Sequence, residues 1–312
     1  MARFLTAAAT AACLLAHANA NPVAAREEKV TMKNLLGFDE SLINPSALSD
    51  DTVIPEITYI QPEDAHFADG ATEAAPLTIT EEQAKTLSER FINGADDRYQ
   101  YTDGNYPFRN VGKLFWDNGV FCSGALIGPR HVLTAKHCIV DGVTGYFAPG
   151  FDNGEPYGRG RVTNIVSSGY EWGSACGFKG DWAVMILDNR LGDQLGYFGV
   201  KLPEASKQDQ SIFDHVGYPG DRDGGNRPYR TPGNTVQSFR PWDCDATGPF
   251  YTDTDCMGGQ SGGPHWENTG DGAYIWGTLS VTFDGGNGVA WSGWGSGNEM
   301  LDTVLRLRSE FP

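Results

Sequence analysis

A serine flanked by glycines is the first feature of this sequence that can carry covalent chemistry. Ser261 lies in the segment Gly259–Pro264, which reads Gly-Gln-Ser-Gly-Gly-Pro. Glycines on both sides allow a tight turn that exposes the hydroxyl and points backbone N–H groups at a developing oxyanion. A serine in a glycine-rich loop is by itself a weak signal. It predicts a nucleophile only together with a general base and a carboxylate that orients the base.

His137 is the candidate for that base. It precedes Cys138 and follows two β-rich runs that are joined by a turn at Gly128. Antiparallel pairing of these runs brings Cys122 near Cys138, so a disulfide would fix the strand end that carries His137. A general base needs such fixing, because it must stay within hydrogen-bond reach of the nucleophile. A structural histidine beside a structural disulfide is the alternative.

Asp181 is the candidate carboxylate. It immediately precedes the apolar run Trp182–Leu187, where a charge is costly unless it has a buried partner. The N–H of His137 would be such a partner, and the aspartate would then fix the tautomer of the ring. Asp188 competes for this role, but an aspartate at a strand end is more typical of a solvated turn.

The remaining histidines and cysteines do not predict a metal site. The chain has no C-x-x-C or H-x-x-x-H spacing, so we expect no metal and no cofactor. His131 is expected at the surface. Three cysteines remain besides Cys13, Cys122 and Cys138. If Cys244 pairs with Cys256, Cys176 is left single. Pairing of Cys176 with either of the other two is the alternative.

The amino-terminal region predicts export. Residues 1–20 have the pattern of a signal peptide, with a positive charge at Arg3, an apolar run from Phe4 to Ala16 and small residues at Ala18–Ala20. The apolar run is shorter than the roughly 20 residues that span a bilayer. A retained signal anchor is the alternative. We therefore expect a secreted protein without a membrane anchor. A formal net charge of −17 argues against nucleic acid and anionic membranes as partners.

Residues 21–90 differ from the rest of the chain. They hold 14 Asp and Glu against 5 Lys and Arg and no cysteine. Their strongest helical signal begins at Thr80, where Gln83 completes a capping box, and continues to Arg90. An acidic segment between a signal peptide and a globular body predicts a propeptide. An extension that is never removed is the alternative.

Residues 91–312 have the pattern of an all-β domain that closes with one amphipathic helix, Glu299–Arg308. Turn signals such as Asp-Asn-Gly and Ala-Pro-Gly separate short β-rich runs. The predicted strands are Val111–Phe115, Val120–Ile127, Val132–Ala135, Arg161–Val166, Trp182–Leu187, Ile212–Gly217, Tyr274–Phe283 and Val289–Ser292. This layout favours a pair of small barrels over an α/β fold.

Taken together, the three motifs resemble the chymotrypsin superfamily, in which the triad runs His, Asp, Ser along the chain. The resemblance implies two six-stranded antiparallel β-barrels with a boundary near residue 200 and the triad in the cleft between them. It implies a serine endopeptidase that acts on proteins or peptides through an acyl-enzyme. His137, Asp181 and Ser261 would be catalytic, and the N–H groups of Gly259 and Ser261 would form the oxyanion hole. A catalytically inactive binding or regulatory protein of the same fold is the alternative, and we expect a monomer.

The segment Ala95–Arg98 and later motifs, including Gly217–Asp221 and Asp253–Ser261, are similar to V8-like glutamyl endopeptidases. That resemblance implies a mature start near Phe91. Two positions depart from the related patterns. Trypsins carry an aspartate where this chain has Gln260, and glutamyl endopeptidases carry a histidine in the pocket strand. Candidates to line the pocket are Thr282, which matches that histidine when counted back from the glycines at 285 and 286, Ser280 and Asp255.

Overall fold

The computed structural model of the protein describes residues 52–75, 96–284 and 290–312. The predicted signal peptide, the predicted helix from Thr80 to Arg90 and the expected processing site near Phe91 lie outside these residues.

Strands dominate the described part of the chain. They are β1 (Glu56–Ile60), β2 (Tyr99–Gln100), β3 (Val111–Trp116), β4 (Phe121–Leu126), β5 (His131–Thr134), β6 (Gly145–Pro149), β7 (Gly160–Ser168), β8 (Ala183–Leu187), β9 (Gly199–Val200), β10 (Ser211–Gly217), β11 (Tyr229–Thr235), β12 (Phe250–Thr252), β13 (Pro264–Thr269), β14 (Gly272–Asp284) and β15 (Ala290–Ser296). The α-helices are α1 (Ala175–Lys179), α2 (Gly192–Leu195) and α3 (Asn298–Glu310).

The first barrel is closed. Its strands follow the order β7-β6-β3-β4-β5-β8, and pairing of β7 with β8 joins the two ends. The turn at Gly128 connects β4 to β5 in an antiparallel hairpin, as predicted, with Ala125 opposite Leu133. Leu114, Leu126 and Phe147 are fully buried inside. Burial of every residue of β8 explains why that run is continuously apolar.

The second barrel is closed only in part. Its main path is β12-β15-β14-β13-β10-β11, with β2 beside β11 and β9 beside β14. An isolated bridge between Val236 and Thr252 joins the ends of this path. The core is aromatic and includes the fully buried Phe213, Trp276 and Trp294. The all-β, two-barrel fold class is confirmed, although the second barrel does not have a complete ring of ladders.

Residues 52–75, which we call the strap, pack against both parts of the domain. Strand β1 pairs in parallel with β7 beyond the short ladder between β6 and β7, with Glu56 opposite Asn164. Farther along, Thr72 N–H donates to the carbonyl of Val200 at 2.8 Å, and Val200 N–H donates to Thr72 Oγ1 at 2.9 Å. The acidic composition predicts a poorly packed segment, whereas this part of it is integrated into the fold.

The carboxyl-terminal helix is longer than the predicted Glu299–Arg308, since α3 extends to Glu310. Met300 and Leu307 on one face are fully buried. The prediction of a surface position for His131 is wrong, because its ring is buried and shares a 3.0 Å hydrogen bond with the Leu307 carbonyl. Among the helices of the described residues, none has the length and apolar character that crossing a membrane requires.

Candidate active site

The structure brings His137 and Asp181 into direct contact. His137 lies in a 3-10 turn immediately after β5, and Asp181 lies between α1 and β8. His137 Nδ1 is 2.7 Å from Asp181 Oδ2, and His137 N–H donates to Asp181 Oδ1 at 2.9 Å. A carboxylate only accepts hydrogen bonds, so the proton of the neutral ring resides on Nδ1. Nε2 is therefore the nitrogen that can exchange a proton with a nucleophile.

Asp181 is fully buried, and a further donor compensates its charge. Ser280 Oγ, from β14 in the second barrel, donates to Asp181 Oδ2 at 2.6 Å. Both carboxylate oxygens are thus hydrogen-bonded, which is what a buried charge requires. Ser280 is one of the predicted pocket residues, and its hydroxyl is engaged by this carboxylate.

Ser261 lies on the loop from Met257 to Pro264, which we call the nucleophile loop. Ser123 N–H, on β4, donates to the Ser261 carbonyl at 2.8 Å, and Ser123 Oγ donates to the Gly259 carbonyl at 2.8 Å. Thr134 Oγ1, on β5 ahead of His137, donates to the Ser123 carbonyl at 2.8 Å. The loop with Ser261 and the strand that leads to His137 therefore share one anchor, Ser123.

Two glycines give the nucleophile loop its shape. Gly259 has φ +95° and Gly262 has φ +76°, both in the region that side chains disfavour. A Cβ at Gly259 would collide with the Tyr218 carbonyl, and one at Gly262 would collide with Thr134 Oγ1. The glycines that flank Ser261 are thus required for close packing of the loop against β5 and its neighbours.

Aromatic side chains form one wall beside the imidazole. The ring of Trp172 meets His137 edge-on at 5.8 Å between centroids. Phe178 contacts Trp172 at 5.1 Å and Phe283 at 5.8 Å. The sequence motifs do not point to this wall. No local signal identifies it, because it joins the segment before β8 to the end of β14.

The other pocket candidates lie on the second barrel. Thr282 is half-buried on β14 opposite Ser292. Asp255 Oδ2 accepts a hydrogen bond of 3.0 Å from Asp97 N–H. Burial, followed by the neighbouring charge of Asp255, raises the pKa of Asp97 to about 7. The Asp255 carboxylate thus accepts a hydrogen bond from the segment that contains Asp97.

One of the two predicted disulfides is present in the structure, and the other is replaced by a different pair. Cys122 pairs with Cys138, which clamps the turn that carries His137. The predicted Cys244–Cys256 pair is wrong, because Cys244 pairs with Cys176 of α1. Cys256 is a free cysteine, and its thiol lies 2.8 Å from Ser292 Oγ on β15. Burial raises the pKa of the Cys256 thiol to about 12.

The chain is similar in sequence to known proteins along much of its length. The family model named Trypsin matches residues 97–293. The glutamyl endopeptidase of Bacillus licheniformis is 32% identical over 192 residues, which cover 58% of this chain and 56% of that protein. Inactive serine protease 35 of Macaca mulatta is 39% identical over 71 residues, or 22% of this chain and 16% of that protein. The chain spans about half the length, or less, of these curated relatives.

A solved structure, "Structure of Glu endopeptidase in complex with MPD", superimposes with a TM-score of 0.54 and 20% sequence identity. The match covers 69% of this chain and 98% of that one. At this identity the likeness shows the chymotrypsin-like fold.

Proposed function

The chain belongs to the trypsin family, and on that premise we propose that it is an exported serine endopeptidase that hydrolyses peptide bonds through an acyl-enzyme on Ser261. The observation that carries this proposal is the double hydrogen bond, 2.7 and 2.9 Å, between His137 and the buried Asp181. A buried imidazole that is hydrogen-bonded to a buried carboxylate, close to a serine loop, is the arrangement that activates a hydroxyl.

In the proposed reaction, Ser261 Oγ attacks the carbonyl carbon of the scissile peptide bond and gives its proton to His137 Nε2. The resulting oxyanion accepts hydrogen bonds from the N–H groups of Gly259 and Ser261. When the tetrahedral intermediate collapses, the C–N bond breaks and His137 returns the proton to the leaving amine. Water then repeats the sequence on the ester, releasing the acid and restoring Ser261.

Asp181 supports the proton transfers electrostatically. During each transfer His137 becomes an imidazolium, and the carboxylate at 2.7 Å stabilises that cation in a buried site. Ser280 holds the carboxylate in place from the other barrel. Both barrels therefore contribute to one proton-transfer unit, as expected for a site in the cleft between them.

The proposal extends to compartment and processing. Two disulfides, Cys122–Cys138 and Cys176–Cys244, suit an oxidising compartment and agree with a signal peptide over residues 1–20. We propose that residues 21–90 are a propeptide removed by cleavage near Phe91. Protein or peptide chains are the proposed substrates, with Thr282 and Asp255 contributing to the pocket.

A cleavage assay on a denatured protein tests the proposed chemistry. Ser261→Ala should lower kcat by several powers of ten and leave the thermal midpoint within a few degrees. Ser206→Ala, at an exposed serine, is the matched control and should retain full activity. Full turnover by the Ser261 variant would contradict the mechanism, and an unaltered chain that stays inactive after cleavage near Phe91 would favour a binding or regulatory role.

A further inference from the structure

Gln260, the residue that precedes Ser261, is bound by an arginine from the start of the domain. Gln260 is fully buried, and its Oε1 accepts a 3.0 Å hydrogen bond from Arg98 Nη1. The Arg98 side chain is only 3% exposed. A hydrogen bond from a charged donor is stronger than a neutral one, and the interior strengthens it further because water does not compete there.

The Gln260 side chain also ties together the two ends of the nucleophile loop. Its Oε1 accepts a second hydrogen bond, 3.0 Å, from Met257 N–H. Its Nε2 donates to His215 Nε2 at 3.1 Å, and His215 Nδ1–H donates to the Pro264 carbonyl at 2.9 Å. An amide nitrogen only donates, so this chain of bonds requires a neutral His215. Burial favours that state by lowering the pKa of His215 to about 4.

Two carboxylates fix the arginine in turn. Asp221 accepts from both Nη atoms of Arg98, at 3.0 and 2.8 Å, and Asp96 accepts from Nε and Nη2 at 2.9 and 2.8 Å. Arg222 adds a second guanidinium to Asp96 at 2.6 Å. Two cations thus face two anions, and this compensation makes burial of the Arg98 charge tolerable.

We propose that Arg98 is a positioning residue that holds Gln260 and, through it, the nucleophile loop in the geometry that directs the Gly259 and Ser261 N–H groups at the oxyanion. The inference rests on the proposed function. The Arg98 guanidinium comes from within the chain. Ordering of the loop therefore does not require a newly formed amino terminus to bind at Gln260.

A double-mutant cycle tests this coupling. Arg98→Met should lower kcat about 100-fold with KM changed less than about threefold, because oxyanion contacts form only in the transition state. Gln260→Met should have a similar effect. If Arg98 acts through Gln260, the double variant should lose no more than about twofold beyond Gln260→Met. Additive losses, or an Arg98 variant with unchanged kcat, would overturn the inference.

Arg230→Met is the matched control for loss of a buried arginine. Arg230 is 3% exposed and ion-paired with Asp214 at 2.7 Å, and its side chain donates to Asp214 and Tyr99 rather than to Gln260. It should lower the thermal midpoint while kcat of the folded protein stays within about twofold. If Arg98→Met does not fold, Arg98→Lys and Asp221→Asn replace it. Each should lower kcat about tenfold, and an unchanged kcat in both would overturn the inference.

Labelling by a fluorophosphonate probe separates this inference from the proposed function. An unaltered chain that neither cleaves peptides nor reacts with the probe would overturn the proposed function and the role of Arg98 with it. Equal labelling rates for the unaltered chain and Arg98→Met would overturn the role of Arg98 alone. We expect rapid labelling of the unaltered chain and about 100-fold slower labelling of the variant.

Discussion

Replacement of Asp181 by asparagine should invert the hydrogen bonding of His137, the proposed general base. Asp181 Oδ1 accepts from the backbone N–H of His137, a donor that cannot change role. The asparagine oxygen must occupy this position, which places the NH₂ group where Oδ2 now faces His137 Nδ1. The NH₂ group donates, so Nδ1 must lose its proton and Nε2 must carry it. A protonated Nε2 cannot accept the proton of Ser261.

The size of the expected decrease in kcat follows from two losses, that of the productive tautomer of His137 and that of the negative charge of Asp181. We expect kcat to fall about 10⁴-fold, the size of effect that the equivalent change has in a Ser-His-Asp triad. That is about 5.5 kcal/mol of transition-state stabilisation. The fold should be preserved, because Ser280 Oγ can turn from donating to accepting at the new NH₂ group.

The assay is kcat and KM on a peptide substrate at neutral pH, with the thermal midpoint as a check on folding. Asp188→Asn is the matched control, since Asp188 is an exposed carboxylate whose Oδ1 accepts from Arg161 N–H at 2.9 Å. It should retain activity within about twofold. A decrease of less than tenfold for Asp181→Asn would refute the assignment of Asp181 as the orienting carboxylate.

Three further predictions follow from contacts outside the triad. Burial and a neighbouring carboxylate raise the pKa of Asp97 from 3.8 to about 7, so its protonated form stabilises the fold below pH 4 and this contribution is lost as the pH rises to 7. Asp97→Asn should abolish that decline in pH-dependent thermal midpoints, and an unchanged decline would exclude Asp97 as its source. Removal of the Cys176–Cys244 disulfide, whose cysteines are 68 residues apart, should lower the free energy of unfolding by about 2–5 kcal/mol in urea titrations. Cys256→Ser should cost clearly less, and equal losses would contradict the pairing. After processing, the strap should co-elute with the enzyme in gel filtration, and Thr72→Val should weaken its retention by about 1–3 kcal/mol by leaving a buried N–H unpaired; a strap that separates from the unaltered enzyme would contradict its packing role.

The sequence predicts most of the first barrel because its elements carry local signals. The hairpin of β4 and β5 has a Gly-Pro turn between β-rich runs, and β8 is continuously apolar. The second barrel is harder to predict, since β11 contains Pro232 and β13 begins at Pro264. Proline argues against a central strand. On the side of β11 away from β10, its neighbour is the two-residue β2. Strand β11 therefore needs a full ladder only with β10, and this is why a proline is tolerated in it.

The candidate site also combines residues that local sequence signals identify with residues that they do not. Local motifs point to His137 and Asp181, whose contact the structure contains. The role of Ser280 has no local signal, because its partner lies 99 residues away on another barrel. The same holds for Arg98, which lies 162 residues from Gln260. Such contacts follow from topology rather than from composition or periodicity.

Mass-spectrometric mapping of a fluorophosphonate adduct tests the central claim most directly. We expect one adduct on the unaltered chain, located on Ser261, and none on His137→Ala under the same conditions. An adduct on another residue, or equal labelling of the His137 variant, would contradict the assignment of Ser261 as a nucleophile activated by His137.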